Sequence, residues 1–87
     1  MRNLLQGSEM KTTKYFASIR RKPDRALIQV IWIERTIAWP EHREVQQDGR
    51  IRLWEKVGEL NNRYIRVKLL SDGETVYNAF LDRRYKS

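Results

Sequence analysis

The stretch RYIRVK, residues 63–68, alternates between apolar and polar side chains without interruption. Ile65 and Val67 fall on one side of an extended chain, whereas two cations and a tyrosine fall on the other. The upstream stretch RIRLWEK, residues 50–56, alternates in the same way. Because successive side chains of a strand point to opposite faces, this period of two predicts two strands, each with one apolar face and one basic, aromatic face.

Two Asp-Gly pairs divide this part of the chain into segments of strand length. They are Asp48-Gly49 and Asp72-Gly73, and Asp-Gly favours a two-residue hairpin turn in which both residues adopt positive φ. The connector GELNN, residues 58–62, fits a longer hairpin loop. We therefore predict an antiparallel meander of four strands, near residues 43–47, 50–57, 63–70 and 74–81.

The loops also predict which residues lie opposite one another. A tight turn at the second Asp-Gly pair and an even register across the connector give these pairings: Leu69 with Val76, Val67 with Asn78, Ile65 with Phe80, Leu53 with Val67, and Ile51 with Leu69. One face then carries the apolar residues Ile51, Leu53, Ile65, Val67, Leu69, Val76 and Phe80, and Glu55 and Asn78 also fall on it by parity. We expect this face to bury against the helices, and a one-residue slip would turn a whole strand over.

The opposite face is predicted to be rich in cations and aromatic rings. Its residues are Arg50, Arg52, Trp54, Lys56, Tyr64, Arg66, Lys68 and Tyr77. In this register Arg52 lies opposite Lys68, and like charges directly opposite each other are destabilising. No acid of these strands is expected on the same face to offset them.

Two interpretations of this face remain open. A bound polyanion such as RNA would offset the cations, and Trp54, Tyr64 and Tyr77 are available to stack on bases. Alternatively, the face is an ordinary solvated surface, whose lysines and arginines protect the sheet from edge pairing.

The first predicted strand does not fit the alternation. A tight turn at Asp48-Gly49 would point Val45 to the basic side and Glu44 and Gln46 to the apolar side. Either this strand is short and lies at an edge, or the turn carries an extra residue.

The residues before the sheet are expected to form one or two helices. Thr12 or Thr13 would cap a first short helix that continues to Lys22, although an extended segment also fits this stretch. Pro23 then interrupts any helix that runs on from Arg20.

A second helix is expected from Pro23 to near Ala38. Proline suits a first helical turn, and Pro40 disfavours α geometry in the residue before it. Apolar residues recur at helical spacing within this segment: Ala26, Val30, Ile33 and Ile37. We interpret this stripe as the surface that covers the sheet, with a groove-binding helix for a partner as the alternative.

The composition limits the class of protein. The chain has 87 residues, no cysteine and one histidine, so we expect a flexible leader over residues 1–11, a single α+β domain over residues 12–87, no cofactor, and neither a disulfide nor a metal site. We see no signal peptide or membrane-length apolar run and expect a cytoplasmic protein. The net charge of +7 is typical of proteins that meet nucleic acid, an anionic membrane surface or an acidic partner.

Cleavage of RNA through its 2′-hydroxyl needs a base, a cationic clamp for the phosphate and an acid for the leaving oxygen. Candidates for the clamp are Arg50, Arg52, Arg66 and Lys68. His42 is a candidate base or acid, because imidazole titrates near neutral pH, and an ordinary surface histidine is the alternative. The tail DRRYKS either folds back and adds Arg83, Arg84 and Tyr85 to the basic face, or forms a frayed basic tail.

Two segments invite comparison with a known family. The segments DGRIRLWEKV, residues 48–57, and RYIRVKLLSDGETVYNAFLDRRYK, residues 63–86, resemble a family of small bacterial proteins of unknown function. The shared pattern is a helical N-terminal part, then DGR, RY-RV and DGETV-NAF-DR. That family is distantly similar to the BrnT and RelE toxins of toxin–antitoxin systems, and the resemblance covers roughly residues 14–86.

The resemblance implies an α+β fold with one or two N-terminal helices packed on one face of a four-stranded antiparallel meander. It implies a metal-independent endoribonuclease toxin acting on mRNA, whose basic face is masked by a small acidic antitoxin. It further implies Arg52 and Arg66 as phosphate clamps, and Lys56 with Tyr77 or Tyr85 as proton-transfer residues. Two other hypotheses predict the same face: a nucleic-acid-binding module without catalysis, and a protein-interaction module for an acidic partner.

Overall fold

The computed structural model describes residues 10–85, in which three short helices precede a four-stranded sheet. The helices are α1 (Lys14–Ile19), α2 (Pro23–Ala26) and α3 (Val30–Ala38), and the strands are β1 (His42–Val45), β2 (Ile51–Val57), β3 (Arg63–Leu69) and β4 (Val76–Leu81). Every neighbouring pair of strands is antiparallel, and the strand order is β1-β2-β3-β4. The predicted α+β class, with helices before an antiparallel meander, is confirmed.

The expected leader lies mostly outside the described residues, which begin at Met10. Met10 packs partly against the core, and the carbonyl oxygen of Lys11 accepts a hydrogen bond of 2.9 Å from the backbone N–H of Val76. Thr12 forms a parallel bridge with the same residue. Within residues 10–85, no helix combines the length and the hydropathy needed to cross a membrane.

The first helix begins at a predicted cap. The side chain of Thr13 accepts a hydrogen bond of 3.0 Å from the backbone N–H of Phe16, which satisfies one of the donors that a first helical turn leaves free. The helix ends at Ile19, earlier than the predicted Lys22. Phe16 and Ile19 are both buried, so α1 covers the apolar side of the sheet.

The prediction of one continuous second helix is wrong, because the segment forms two helices, α2 and α3. Gln29 has extended backbone angles, with φ −75° and ψ 146°. A continuous helix would place Ile28 and Ile33 about 140° apart around its axis, so it could not bury both against one sheet. The break buries both, at 3% and 0% exposed, and leaves Leu27 69% exposed. Of the predicted stripe, Ala26 is exposed.

The central pair of strands has the predicted register. Ile51 lies opposite Leu69, and Leu53 lies opposite Val67. The core that this face forms with the helices consists of the following buried residues: Phe16, Ile19, Ile28, Trp32, Ile33, Ile51, Leu53, Val57, Ile65, Val67, Leu69, Val76 and Ala79. The period-two alternation therefore identified the buried face of β2 and β3.

The turn before β2 carries an extra residue, and β1 is also short and at the sheet edge. The backbone N–H of Gln46 donates to the carbonyl of Arg50 at 2.8 Å, so three residues form the loop. Gly49 adopts a φ of +89° in this loop, which favours glycine. The extra residue reverses the faces of β1, so that Glu44 lies opposite Arg52.

A β-bulge in β4 changes the predicted pairing beyond Val76. Leu69 lies opposite Val76 as predicted, but Lys68 lies opposite Asn78, which leaves Tyr77 without a partner on β3. Phe80 was predicted to face the core and instead lies opposite Arg66, whereas Ala79 is buried. An extra residue in one strand shifts all later side chains to the other face.

The connection into β4 is also longer than the predicted two-residue turn. The backbone N–H of Leu70 donates to the carbonyl of Thr75 at 2.9 Å, which closes a four-residue loop. The carboxylate of Asp72 accepts hydrogen bonds from the backbone N–H groups of Glu74 and Thr75, each at 2.9 Å. The aspartate therefore organises the loop through its side chain.

Candidate nucleic-acid interface

The sheet face opposite the core carries most of the predicted cations. We call it the basic face and define it by cross-strand pairing as His42, Glu44, Arg52, Trp54, Lys56, Tyr64, Arg66, Lys68, Asn78 and Phe80. Arg50 extends it beyond the start of β2, where its guanidinium carbon lies 4.9 Å from the ring centre of Tyr77. The sequence placed Asn78 and Phe80 on the other face, because it gave no sign of the bulge.

Carboxylates accompany the arginines of the basic face, so the expectation that no acid offsets them is wrong. The distances between charged atoms are 3.3 Å for Arg52 and Glu44, 3.2 Å for Arg66 and Asp82, and 3.8 Å for Arg50 and Asp48. Glu44 reaches the face because the extra turn residue moves the side chains of β1 to the face opposite the predicted one. Asp82 reaches it because it follows the bulged strand.

Lys68 differs from the arginines around it. Among the described residues, no carboxylate lies within salt-bridge distance of its ammonium group. It lies opposite Arg52 as predicted, and its ammonium nitrogen is 5.6 Å from the ring centre of Phe80. Burial, followed by the charges of Arg66, Arg52 and Arg50, lowers the pKa of Lys68. The centre of the basic face therefore holds a partly desolvated positive charge that an anion would stabilise.

The tail folds back onto the sheet as far as Tyr85, and aromatic rings collect where it does so. The rings of Trp54 and Tyr85 are stacked, with centroids 4.9 Å apart and planes 17° apart. His42 lies 5.1 Å from Trp54 and 6.0 Å from Tyr85, and Tyr64 lies 4.8 Å from Tyr85. Trp54 is only 6% exposed, so Tyr85, rather than Trp54, presents an aromatic surface at this end.

Asp82 anchors the tail. Its carboxylate accepts hydrogen bonds from the indole N–H of Trp54 at 2.9 Å and from the backbone N–H groups of Arg84 and Tyr85 at 3.1 and 3.2 Å. Burial alone would raise the pKa of Asp82, but these hydrogen bonds and the charge of Arg66 outweigh it and hold the pKa below its usual range. The sequence could have predicted this anchoring role, because aspartate at the end of a strand often accepts hydrogen bonds from backbone N–H groups two or three residues later.

An open groove of about 800 Å³ lies beside the aromatic rings and is lined by Lys56, Asn62, Arg63, Tyr64, Leu81, Asp82, Arg83 and Tyr85. Glu41, which sequence reasoning missed, accepts a hydrogen bond of 2.9 Å from the hydroxyl of Tyr64. It also accepts one of 3.2 Å from the backbone N–H of Lys56, whose ammonium group is 5.9 Å from the ring centre of Tyr64. A glutamate after a proline at a strand start gave no distinctive signal.

The structure gathers three of the four candidate catalytic residues at this end. His42, Lys56 and Tyr85 lie in or beside the groove. Tyr77 lies near the other end of the face, beside Arg50. It precedes Leu81, which lines the groove, by about four strand residues, or roughly 13 Å along the strand. Tyr77 is therefore separated from the other three candidates.

The groove brings together groups able to transfer protons. Burial, Tyr64 and Glu41 raise the pKa of Tyr85, so its hydroxyl holds its proton more firmly than an ordinary tyrosine. Carboxylate and imidazole groups, as in Glu41 and His42, are general bases in many enzymes. Between residues 10 and 85, no three His, Asp or Glu side chains are grouped as metal ligands.

Arg83 and Arg84 form the turn after β4 and are exposed. They also line a second groove, of about 580 Å³, between α2 and the end of β4. Arg83 and Arg84 therefore lie at the end of the face where Arg66 and Phe80 also line this groove.

No protein-family model, curated protein or solved structure matches this chain.

Proposed function

We propose that this protein binds single-stranded RNA across the basic face. The observation that carries the proposal is Lys68, which lies directly opposite Arg52 and has no carboxylate partner among the described residues. Like charges at opposed positions destabilise a sheet, and a phosphate between them would turn this repulsion into attraction. We further propose that it acts in the cytoplasm.

The ion pairs support different roles for the two central arginines. Glu44 is 49% exposed and holds Arg52 at 3.3 Å, so a phosphate can replace its carboxylate at low cost. Asp82 is only 10% exposed and is held by several donors, so it stays with Arg66. Arg52 and Lys68 therefore form the phosphate clamp, while Arg66 mainly orients the tail.

A second candidate function, RNA cleavage, is supported by the groove at the Tyr85 end. A carboxylate, an imidazole, an ammonium group and a tyrosine hydroxyl meet there, from Glu41, His42, Lys56 and Tyr85. These are the groups that a metal-independent cleavage through the 2′-hydroxyl requires.

The resemblance to BrnT and RelE toxins supports a biological setting for this activity. In that setting the protein is the toxin of a toxin–antitoxin pair acting on mRNA, and a small acidic antitoxin-like protein covers the basic face. A partner with many carboxylates would compete with RNA for Arg52 and Lys68, because both ligands present anionic oxygens.

The experiment is incubation of the pure protein with a long labelled RNA in the absence of metal ions, followed by separation on a denaturing gel and a native gel. Binding is expected to be lost in the double variant Arg52→Ala/Lys68→Ala. The matched control is Arg21→Ala/Lys22→Ala, which removes one arginine and one lysine from exposed positions between α1 and α2. Retention of full affinity by the Arg52→Ala/Lys68→Ala variant would exclude the basic face as the binding site.

Cleavage is tested in the same assay with Tyr85→Phe and Glu41→Gln. If the groove is catalytic, these variants bind RNA normally but no longer produce discrete fragments. Intact RNA at wild-type concentrations that clearly shift its mobility would exclude cleavage and leave the binding function.

A further inference from the structure

We propose that the groove between α2 and the end of β4 binds one nucleotide of the RNA, with its base against Phe80 and its phosphate on Arg83 and Arg84. We call it the terminal groove. The inference rests on the proposed RNA binding and assigns a subsite to residues that the sequence had placed in the core or in a tail.

The terminal groove has an aromatic wall because of the bulge in β4. The bulge places Phe80 opposite Arg66 on the basic face, and the guanidinium carbons of Arg66 and Arg25 lie 4.8 and 5.3 Å from its ring centre. Leu27, which directly follows α2 and is 69% exposed, adds an apolar wall. Aromatic rings and guanidinium planes both stack on bases, so the Phe80 ring, the guanidinium groups over it and the exposed leucine together offer a stacking surface.

The charges of the terminal groove favour a phosphate. Its two acids are already paired, because Asp24 lies 2.6 Å from Arg25 and Asp82 lies 3.2 Å from Arg66. No carboxylate of residues 10–85 forms an ion pair with Arg83 or Arg84. The backbone N–H of Arg84 donates to Asp82 at 3.1 Å, so the backbone from which these two side chains extend is fixed.

The size and position of the terminal groove fit a nucleotide at the end of the bound strand. Its volume of about 580 Å³ is within the range of ~300–1,000 Å³ that is typical of small-molecule sites. Arg66 and Phe80 belong both to the groove and to the basic face. RNA that crosses Lys68 therefore meets the terminal groove without leaving a basic surface.

The test uses Phe80→Leu, which keeps an apolar side chain and removes the ring. Its affinity for a short labelled oligouridylate, measured by fluorescence anisotropy, is expected to fall by about fivefold or more, since a stacked base contributes ~1–3 kcal/mol. The matched control is Tyr15→Leu, which removes an aromatic ring that is 57% exposed on α1. Inorganic polyphosphate, which has no base, should bind Phe80→Leu and the wild type equally.

Two further variants test the same groove without altering the sheet. Leu27→Glu places an acid on the exposed wall and should weaken oligouridylate binding. Arg83→Ala/Arg84→Ala should weaken both oligouridylate and polyphosphate, and should reduce the salt dependence of RNA binding by about 1.4 in log–log slope.

The outcomes separate the two proposals. If the wild type binds oligouridylate and Phe80→Leu and Leu27→Glu bind it equally well, the terminal groove holds no base and only this inference fails. If the folded wild type does not bind oligouridylate, the proposed RNA binding fails and the subsite with it. If Phe80→Leu does not fold, unchanged binding by Leu27→Glu is sufficient to overturn the inference.

Discussion

The indole N–H of Trp54 donates a hydrogen bond of 2.9 Å to the carboxylate of Asp82. Trp54 lies on β2 and Asp82 follows β4, so this contact joins two strands that are not neighbours. Arg66, on the intervening strand, lies 3.2 Å from the same carboxylate oxygen. One carboxylate thus connects three strands and fixes the point from which the tail turns back.

Asp82→Ala should destabilise the fold by about 1–3 kcal/mol, because it leaves the indole N–H of Trp54 without its acceptor and the largely buried guanidinium of Arg66 without its ionic partner. Urea unfolding followed by tryptophan fluorescence measures this loss. Asp24→Ala is the control, since its carboxylate is 69% exposed and its only ion pair within residues 10–85 is with the adjacent Arg25. Equal unfolding midpoints for Asp82→Ala and Asp24→Ala would contradict the anchoring role.

Lys68→Met should raise stability at neutral pH and lower RNA affinity. The lowered pKa of Lys68 means that the folded state disfavours its charged form, a penalty present at neutral pH that disappears above the ordinary lysine pKa. Removal of the charge should add a few tenths of a kcal/mol, as expected for a partly screened pair of like charges.

The same variant should reduce the salt dependence of RNA binding by about 0.7 in log–log slope, for one lost phosphate contact. Lys14→Met, at an exposed position of α1, is the control. A Lys68→Met protein that is less stable and binds RNA as tightly as the wild type would contradict the interpretation of the basic face.

Asp72 makes the loop before β4 sensitive to acid. Hydrogen bonds from the side chain and backbone of Thr75 and from the backbone of Glu74 lower the pKa of Asp72 from 3.8 to about 2. Its contribution to stability is therefore complete above about pH 4 and is lost as the pH falls towards 2. Wild type should be more stable than Asp72→Ala at pH 6, and urea titrations should show this difference shrinking by pH 2.5. A difference independent of pH would exclude this ionic contribution.

Asn62 occupies the left-handed region, with a φ of 62°. Its backbone N–H donates to the carbonyl of Val57 at 3.0 Å, which closes the loop between β2 and β3. Asn62→Val should cost about 1–2 kcal/mol, because a side chain with a branched Cβ is strained in this region. Asn62→Gly should be neutral or slightly stabilising, and thermal unfolding of the two variants compares them. Equal melting temperatures would contradict the assigned backbone conformation.

The central strands were predictable because their alternation is unbroken. Every residue from Ile51 to Val57 has a partner on β3, so parity alone identifies the buried face. The two outer strands were not predictable in the same way. Each carries one extra residue, in the turn at Gly49 and at Tyr77, and an inserted residue has no hydrophobic signature of its own.

The candidate site was predictable only in part for the same reason. The cations of β2 and β3 are where the alternation placed them. Glu44, Phe80 and Asp82 reach the basic face through irregularities of the flanking strands, and Glu41 reaches the groove from a loop. The break between α2 and α3 also escaped prediction, because the apolar spacing from Ala26 to Ile37 fits one continuous helix, whereas only a broken one buries both Ile28 and Ile33.

The bulge at Tyr77 has a consequence for the history of such sequences. Because Tyr77 has no partner on β3, deletion of this residue would let Val76 and Asn78 pair as consecutive residues with Leu69 and Lys68. The strand would straighten, and every residue after it would keep its face. Position 77 is therefore a point at which one codon can be lost in mid-strand while Asn78, Ala79 and Phe80 keep their faces, with loss of only the ring beside Arg50.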